Sequence, residues 1–373
     1  MKSGVIKPVA EVCNVEYGTR VVRKRDGGGV YPVYGGGGAT FQMNESNRED
    51  RLVIGRFGMS EGCTRFVAGR FFLNDSGLTV SPRGGALLQR FLDYQMLSMN
   101  DAIYALGKGA AQKNLDVPAF RGLSVFVPDD LDEQRRIVGV LDEAFAAIAT
   151  ARANTEQNMR NAREVFVSHL QSVFATRGEE WGVKRIEEIA QHSLGKMLDK
   201  AKNRGELKPY LRNLNVRWLA FDLSDMSEMR FLPEEAAKYM ASKGDVLVCE
   251  GGYPGRAAIW DEDHPIHFQK ALHRVRFHEP EHNKWFVYYL LAQDQSGDLK
   301  QHFGGTGIQH FTGEVLARFE IPIPPILELR RAVSKFDELS TETERLGSIH
   351  QRKLAALDAL KQSLLHQAFT GAL

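Results

Sequence analysis

The stretch Glu133-Gln134-Arg135-Arg136-Ile137-Val138, which runs on to Leu141-Asp142-Glu143, occurs twice in this chain. Its copy, Glu328-Leu329-Arg330-Arg331-Ala332-Val333 with Phe336-Asp337-Glu338, lies 195 residues later. The same offset separates Leu52-Val53 from Leu247-Val248, and Phe174 from Phe369. If only the Glu-Arg-Arg stretch were repeated, chance similarity between two helices would explain it. Chance is a poor explanation for an offset of 195 residues that stays the same from residue 52 to residue 174. The sequence therefore predicts a duplicated unit of about 190 residues, in which a mixed domain precedes a helix.

Each of the two repeats ends in a predicted long helix. Residues 130–176 contain no proline, and Gly139 is their only interior glycine. Both helical segments open after proline, at Pro128 and Pro324-Pro325, and both close on glycine, at Gly178 and Gly371. Apolar or small residues in steps of three and four predict one buried stripe on each helix. The stripe residues are Ile137, Leu141, Ala144, Ile148, Ala162, Val165 and Leu170 in the first helix, and Phe336, Leu339, Leu346, Leu354, Leu357, Leu360 and Leu364 in the second.

A helix of this length with a narrow apolar stripe needs a partner. Each predicted helix has about 45 residues and a length of roughly 65–70 Å, and it is unstable alone. The simplest arrangement packs the two helices of one chain together as an antiparallel pair that holds the domains at opposite ends. A general dimerisation coiled coil is the alternative that the helices alone leave open. The duplicated domains favour the pair within one chain.

The predicted fold class is α+β, with two mixed α/β domains separated by a pair of long antiparallel helices and related by a pseudo-twofold internal duplication. The predicted boundaries are residues 1–128 for the first domain, 129–178 for the central helix, 179–324 for the second domain and 325–373 for the C-terminal helix. A chain of 373 residues is too long for one ordinary core. It has no run of about 18 apolar residues and no apolar signal segment at its N-terminus. We therefore expect a cytoplasmic protein without a membrane span.

Short apolar runs in both domains predict strands. In the first domain they are residues 31–34, 51–56 and 69–73; in the second they are 245–249, 257–260 and 272–277, with a helix at 284–292. A glycine-containing loop at residues 304–311 corresponds to residues 107–114 of the first domain. Small residues there suit a backbone that lies close to another molecule.

The sequence offers no catalytic or nucleotide-binding motif. It has no adenine-methylation tetrapeptide, Walker lysine, HExxH or GxSxG, and Gly27-Gly28-Gly29 and the glycines at 35–38 fit no phosphate-binding pattern. One segment has residue types that bind metals: His264 and His267 lie beside Asp261 and Asp263. Because Pro265 interrupts them, a surface loop is the favoured interpretation. Cys13, Cys63 and Cys249 are scattered, so we expect buried free thiols in place of a disulfide framework or zinc site.

A basic stretch from Lys196 to Arg217 is the most suggestive feature for binding. It carries seven Lys and Arg residues against Asp199 and Glu206, and Tyr210, Asn213 and Asn215 lie between the charges. Arg, Lys and Asn have the donor geometry for phosphates and for guanine and adenine edges. A solvated basic surface is the alternative interpretation. Because the net charge of the whole chain is only +1, either the protein does not bind DNA or partners supply much of the phosphate contact.

The whole layout resembles the specificity subunit of type I restriction-modification enzymes. The resemblance rests on the repeated helix start and on several stretches of the second repeat. These are Gly195-Lys196-Met197-Leu198-Asp199-Lys200, Tyr210-Leu211-Arg212-Asn213-Leu214-Asn215-Val216, Gly244-Asp245-Val246-Leu247-Val248-Cys249-Glu250-Gly251-Gly252 with Gly255-Arg256, Phe268-Gln269-Lys270-Ala271-Leu272-His273-Arg274-Val275 and Gln367-Ala368-Phe369-Thr370-Gly371. The first domain departs more, because it lacks the opening tryptophan, Trp181, and has a shorter entry segment.

The resemblance implies a non-catalytic subunit whose two target-recognition domains each read one half of a bipartite asymmetric DNA site. Two methyltransferase subunits would dock on the helices and bring S-adenosylmethionine, and restriction-translocase subunits with ATP and Mg²⁺ would join them. The chain itself is expected to hold no cofactor and no metal. A target-recognition subunit of a BcgI-like bifunctional methylase-nuclease is a second reading, and a coiled-coil scaffold that binds no DNA is a third.

Candidate DNA-binding residues follow from the basic stretch, the glycine loops and the resembling motifs. In the first domain they are Arg20, Arg23, Arg25, Arg56, Lys108, Gln112 and Lys113. In the second domain they are Lys196, Lys200, Arg204, Lys208, Tyr210, Arg212, Asn213, Asn215, Arg217, Tyr253, Arg256, Gln269, Lys270, Gln309 and His310.

Overall fold

The computed structural model describes residues 4–199, 201–305, 309–370 and 373. The chain forms two compact units: the first unit is Met1–Glu156 with His350–Leu373, and the second unit is Gln157–Ile349. Each unit contains one mixed domain and part of both long helices. The division into four consecutive segments stays a prediction, because the compact units cut across the helices. The predicted helix end at Gly371 lies outside the described residues.

The first unit is built on a six-stranded sheet of order β2-β7-β5-β6-β3-β4, in which only β3 and β6 run parallel. Two small antiparallel sheets, β1-β10 and β8-β9, accompany it. The strands are β1 (Gly4–Pro8), β2 (Cys13–Tyr17), β3 (Tyr31–Tyr34), β4 (Ala39–Met43), β5 (Arg48–Gly55), β6 (Thr64–Leu73), β7 (Gly77–Pro82), β8 (Gly107–Lys108), β9 (Asn114–Leu115) and β10 (Ser124–Pro128). The helices are α1 (Val9–Val12), α2 (Arg23–Asp26), α3 (Gln89–Ser98), α4 (Asn100–Ala105), α5 (Val117–Arg121) and α6 (Leu131–Ala175), the last shared with the second unit.

The second unit has two four-stranded sheets, of order β12-β21-β18-β19 and β16-β13-β20-β17, and two small ones, β11-β22 and β14-β15. Its strands are β11 (Gly182–Arg185), β12 (Ala190–Leu194), β13 (Glu206–Leu211), β14 (Val216–Arg217), β15 (Ala220–Phe221), β16 (Ser227–Phe231), β17 (Met240–Ala241), β18 (Val246–Cys249), β19 (Ala257–Ile259), β20 (Ile266–Phe268), β21 (Leu272–Phe277) and β22 (Glu320–Ile323). Its helices are α7 (Ile186–Ile189), α8 (Ala236–Tyr239), α9 (Glu281–Ser296), α10 (Gly313–Arg318) and α11 (Ile326–Thr370), with 3-10 turns at Asn213–Asn215, Pro233–Glu235 and Asp298–His302. The strands and the helix predicted from the short apolar runs are therefore present.

Within each unit the two long helices pack against each other. In the first unit Arg152 of α6 forms a 2.6 Å ion pair with Asp358 of α11, and Leu141 and Leu365 share one apolar core. In the second unit the rings of Phe174 and Phe336 lie 5.9 Å apart. Later residues of α6 thus meet earlier residues of α11, which makes the pair antiparallel. The predicted fold class, with two mixed domains and a long antiparallel helix pair, is confirmed.

Two residues assigned to the apolar stripes are exposed: Val165 is 60% and Leu360 is 48% accessible. Burial on α6 instead runs in steps of four through Phe166, Leu170 and Phe174. On α11 it passes to Leu365 and Ala368 near the C-terminal end. A helix has 3.6 residues per turn, so a step of three and a step of four are equally compatible with sequence spacing. Contacts with the domain decide which residue is covered.

The two helix starts differ at Gln134, where the second repeat has Leu329, and this difference has a structural reason. Gln134 is fully buried; its Nε2 donates to Ala86 O at 2.8 Å and its Oε1 accepts from Leu88 N at 2.8 Å. It therefore satisfies two backbone groups of the segment that leads into α3. Leu329, at the corresponding place, is buried in the apolar core of the second unit.

The three cysteines are buried and free, as expected. Burial raises the pKa of the Cys13 and Cys249 thiols to about 11, so both remain protonated at neutral pH. In the part of the chain that the structure describes, no helix has the length and apolar character needed to cross a membrane.

Candidate nucleic-acid interface

Each unit places a hairpin loop directly after a buried strand. In the first unit β5 pairs antiparallel with β6, and residues 56–63, here called the first hairpin loop, connect them. In the second unit β18 pairs antiparallel with β19 through residues 250–256, the second hairpin loop. The strands before the loops contain the corresponding pairs Leu52-Val53 and Leu247-Val248. The two hairpin loops therefore occupy equivalent positions in the duplication.

The predicted glycine loops contact these hairpin loops in the same way. The backbone N–H of Leu115, the residue after the first glycine loop, donates to Arg56 O at 2.8 Å, and that of Phe311, the last residue of the second, donates to Glu250 O at 2.8 Å. Residues 107–114 form the first glycine loop and 304–311 the second, of which 306–308 lie outside the described residues. Each unit thus joins one hairpin loop and one glycine loop into a single surface, which we call its loop pair.

A buried histidine fixes the end of the second glycine loop. His273 is fully buried, and its Nε2 lies 2.9 Å from Phe311 O. Burial lowers the pKa of His273 to about 4, so the imidazole is neutral at pH 7 and donates one hydrogen bond to this carbonyl. The backbone of the loop is therefore held from the core.

The first loop pair brings together four of the predicted residues. The Arg56 guanidinium contacts the rings of Tyr17 and Phe57, at 4.8 Å and 4.4 Å from their centroids. A Cβ placed on Gly58 would come within 2.8 Å of the Gln112 amide, so that side chain lies against the hairpin loop. Lys113 stacks on Tyr104 at 3.9 Å. Lys108, at the start of the glycine loop, forms an ion pair with Asp116.

The other predicted residues of the first domain lie on a separate segment. Arg23 and Arg25 belong to the short helix α2, Arg20 precedes it, and all three side chains are exposed. Arg25 forms a 2.8 Å ion pair with Asp26. Among the described hydrogen bonds and ion pairs, none links this segment to the first loop pair. The basic cluster is therefore at most an additional contact surface.

The second loop pair is organised around Asn213. Its Nδ2 donates to Gly251 O at 3.1 Å, and its own carbonyl accepts from Arg256 Nη2 at 3.0 Å. The Arg256 guanidinium stacks on Tyr253 at 4.9 Å, and a Cβ on Gly251 would lie 3.1 Å from His310 Nδ1. Four predicted residues from three distant stretches thus meet at one surface.

The basic stretch is less charged in three dimensions than in sequence. Arg212 pairs with Asp225 at 2.8 Å, and Arg217 pairs with Asp222 at 3.0 Å. Hydrogen bonds from the Ser224 hydroxyl and backbone, together with Arg217, lower the pKa of Asp222, so this carboxylate is ionised at neutral pH. The counted carboxylates, Asp199 and Glu206, are not the only ones that neutralise the patch.

Three predicted residues are buried and act from beneath the surface. Lys196 donates from Nζ to Arg230 O at 2.9 Å and pairs with Glu235. Although burial opposes ionisation of Glu235, the bond from Lys196 lowers its pKa. Asn215 donates to the carbonyls of Asp222 and Asp225, both at 2.9 Å, and Tyr210 packs in a small apolar cluster. Asn215 thus positions the 212–225 segment, whereas Lys196 and Tyr210 contact residues 229–239.

Among the described residues, the remaining predicted positions of the second domain include exposed side chains and backbone hydrogen-bond donors. Lys208 is exposed and pairs with Glu206 at 2.7 Å, and Arg204 is exposed and donates to Ala201 O at 2.7 Å. The backbone of Gln269 donates to Leu211 O at 3.1 Å, and that of Lys270 donates to Lys196 O at 2.9 Å. Gln309 is exposed. Lys200 lies outside the described residues.

The histidine-containing loop is held by other interactions. Asp263 pairs with Lys243 at 2.7 Å, and Trp260 Nε1 donates to His264 O at 2.7 Å. Within the described ranges, no group of three or more His, Cys, Asp and Glu residues is placed to hold a metal ion.

Reasoning from the sequence missed Phe57, whose ring is stacked by Arg56 and 38% exposed. The signal was present, because Phe57 stands 196 residues before Tyr253, one residue from the repeat offset. It also missed Asp222, Asp225 and Glu235, since the fold brings these carboxylates to the basic residues. No local pattern marks such contacts.

Comparison with known proteins gives a consistent result. Residues 178–352 match the family model of the Type I restriction modification DNA specificity domain. A 174-residue segment is 23% identical to the specificity subunit of the type I restriction enzyme EcoprrI of Escherichia coli, covering 43% of this chain. The match spans 42% of that relative, less than half of its length.

Solved structures extend the likeness in fold to nearly the whole chain. A chain solved in work on complex assembly and conformational transition of the type I R-M system has a TM-score of 0.75 at 15% identity, over 99% of this chain and 98% of its own length. The HsdS subunit from Thermoanaerobacter tengcongensis has a TM-score of 0.56 at 17% identity, over 99% and 97%. The recognition made from the sequence is thus confirmed: the chain resembles the specificity subunit of type I restriction-modification enzymes, in sequence over residues 178–352 and in fold over nearly its full length.

Proposed function

We propose that this protein is the non-catalytic, DNA-reading specificity subunit of a type I restriction-modification complex. The observation that carries the proposal is the repeated loop pair. Each unit has one, held together by the equivalent backbone bonds Leu115 to Arg56 and Phe311 to Glu250. Two equivalent surfaces on two different domains suit the reading of two different half-sites. Each target-recognition domain then reads one half of a bipartite asymmetric site.

Partner subunits complete the proposed complex. Two methyltransferase subunits dock on the long helices and bring S-adenosylmethionine, and restriction-translocase subunits bring ATP and Mg²⁺. The charge pairs at the second loop pair support a role for partners in phosphate binding, because Arg212 and Arg217 are already engaged by carboxylates. A protein that held DNA alone through phosphates needs more free positive charge. This complex acts in the cytoplasm.

Methylation mapping tests the proposal. The chain is co-expressed with a type I methyltransferase subunit, and methylated adenines are mapped across the host genome. The expected result is a single bipartite motif whose halves are separated by a fixed spacer. A scaffold that binds no DNA produces no such motif, and that result rejects the proposal.

Replacement of residues 181–324 by the corresponding segment of another specificity subunit tests the assignment of one half-site to each domain. The expected motif keeps one half and changes the other. A motif altered in both halves contradicts the division, and the unmodified chain expressed in parallel is the control.

A further inference from the structure

We propose that Phe57 and Tyr253 are equivalent base-contacting residues, one in each unit, and that each ring contacts the methyl group of a thymine in the half-site of its own domain. The inference rests on the proposed function and assigns a specificity role to two named side chains. The sequence did not predict Phe57 as a candidate, and it predicted Tyr253 as a DNA-binding residue without saying which part of the DNA it contacts.

Both rings are exposed in corresponding hairpin loops, Phe57 as the second residue after β5 and Tyr253 as the fourth after β18. Phe57 is 38% and Tyr253 is 44% accessible. A single exposed aromatic residue is common on protein surfaces, so exposure alone decides nothing. Here the exposed ring occurs twice, each time in the hairpin loop that follows the duplicated strand and contacts the glycine loop. Repetition of the same feature at the candidate surface points to a shared role.

Each ring is held in place before any ligand arrives. The Arg56 guanidinium lies 4.4 Å from the Phe57 centroid, and the Phe57 N–H donates to Ser76 O at 3.2 Å. In the second unit Arg256 lies 4.9 Å from the Tyr253 centroid, and the Tyr253 hydroxyl lies 3.3 Å from Asp294 Oδ2. Rings fixed in this way lose little conformational entropy when they meet a partner.

The chemistry of the two loops fits the major groove of DNA. The thymine methyl group is the one apolar feature that a base presents there, and aromatic rings contact it favourably. The neighbouring arginine carries donors suited to guanine O6 and N7. Arg256 uses Nη2 for Asn213 O, and a guanidinium has five donors in all. An arginine-stacked ring thus combines an apolar contact with a polar one on adjacent bases.

Base substitution on the DNA tests the contact directly. The complex with its methyltransferase is assayed on duplexes in which each thymine of the mapped motif is replaced by uracil, which lacks only the methyl group. The expected result is one sensitive thymine in each half-site, with binding weakened about fourfold, the effect of losing one buried methyl group. Phe57→Ala removes the sensitivity in one half-site and Tyr253→Ala in the other. Phe57→Leu, which keeps an apolar side chain, retains part of it.

Phe66→Ala is the matched control. Phe66 is also 38% exposed and stacked by an arginine, Arg90, at 4.2 Å. Because Arg90 pairs with Asp142 of α6, this stack belongs to the domain-helix contact and not to a loop pair. The variant should leave both uracil sensitivities unchanged.

The outcomes separate the two levels of the argument. If the unmodified complex methylates no bipartite motif, the proposed function itself is wrong. If the motif is bipartite but a half-site contains no uracil-sensitive thymine, or Phe57→Ala and Tyr253→Ala leave both sensitivities intact, only the ring-contact inference is overturned. Loss in the half-site of the other domain overturns it as well.

Discussion

Tyr288 donates a 2.7 Å hydrogen bond to Asp337 Oδ1, and the bond from Tyr94 to Asp142 Oδ1 repeats this contact in the other unit. In both cases a basic residue four positions before the tyrosine binds the same aspartate: Lys284 to Asp337 at 2.6 Å, and Arg90 to Asp142 at 2.9 Å. The tyrosine and the base lie on α9 or α3, and the aspartate lies on a long helix. The duplication therefore preserves one polar contact that fastens each domain to its long helix.

Tyr288→Phe tests the strength of this contact. Burial, and then the bond to Asp337, raise the pKa of Tyr288, so the phenol is protonated at neutral pH and can donate this bond. Removing the hydroxyl should lower the free energy of unfolding by about 1–2 kcal/mol, because the acceptor is a carboxylate that keeps some exposure. Urea denaturation followed by tryptophan fluorescence measures the loss.

A double-mutant cycle with Asp337→Asn identifies the partner. If the bond carries the effect, the loss in the double variant is smaller than the sum of the two single losses. Strict additivity contradicts the assignment. Tyr94→Phe with Asp142→Asn should repeat the pattern in the first unit, since the contact is duplicated.

Asp93→Asn tests a buried carboxyl group of α3. Asp93 is 4% exposed, and burial raises its pKa from 3.8 to about 6. Because the pKa is raised in the folded state, the contribution of protonated Asp93 to the free energy of unfolding is complete below pH 4. It is lost as the pH rises through about 6. Two pKa units correspond to about 3 kcal/mol. The free energy of unfolding of the variant, relative to that of the natural chain, should therefore rise between pH 4 and pH 6. Above pH 6 the difference between the two proteins should stay constant.

The measurement is the urea midpoint of both proteins from pH 4 to pH 8. Asp93 accepts a 2.9 Å bond from Gln89 Nε2, and asparagine keeps an oxygen for it. Asp129→Asn makes the same change at an exposed position and serves as the control for the substitution itself. A constant difference between Asp93→Asn and the natural chain over the whole range shows that Asp93 is ionised throughout.

The sequence predicted the large elements of the fold better than the surface. Repeated segments such as Glu133–Val138 and Glu328–Val333 carry long-range information, because one duplication relates many positions at once. The two long helices followed from the spacing of their apolar residues, and the strands followed from short apolar runs. The prediction that Val165 and Leu360 are buried was wrong, because contacts with neighbouring segments decide which residue of a helix is covered.

The sequence predicted many residues of the candidate surface, but it did not predict which of them contact one another. The meeting of Asn213 with Gly251 and Arg256 joins stretches about forty residues apart, and only the fold creates it. In the same way Lys196 is basic in sequence but buried against Glu235 in the structure. Residue type predicts which chemistry is available, whereas burial and pairing decide whether a ligand can reach it.

Gly252→Ala tests the geometry of the second hairpin loop. Gly252 has a φ of +78°, and a Cβ there would lie 2.1 Å from Asn213 Nδ2. The substitution should displace Asn213 from Gly251 and reduce methylation strongly, with a stability loss on the order of 1–2 kcal/mol. Methylation of the mapped motif and the urea midpoint are measured together. Unchanged methylation means that the loop does not need this conformation for its role.

Gly347→Ala is the contrasting change on α11. Space around Gly347 is open, with no atom within 4 Å of an added Cβ among the described residues. Alanine in a helix interior is favoured over glycine by about 1 kcal/mol. The variant should be more stable than the natural chain and should methylate the same motif. A destabilised variant contradicts the helical environment of this residue.

Replacement of Lys208, Arg212 and Arg217 together by alanine tests the basic stretch. If all three contact phosphates, modification is lost, and the slope of log binding constant against log salt falls by about three. Each is paired with a carboxylate in the structure, at 2.7 Å, 2.8 Å and 3.0 Å, so DNA has to compete with Glu206, Asp225 and Asp222.

Lys243→Ala is the control: it removes a similarly exposed and paired charge, bound to Asp263 at 2.7 Å, and should change neither the modification nor the salt slope. Because Arg212 also holds the 212–225 segment, the double variant Lys208→Ala with Arg217→Ala separates the effect of charge from an effect on folding. A smaller salt slope of DNA binding with an unchanged urea midpoint supports phosphate contact. An unchanged salt slope shows that these two residues bind only their carboxylates and not DNA.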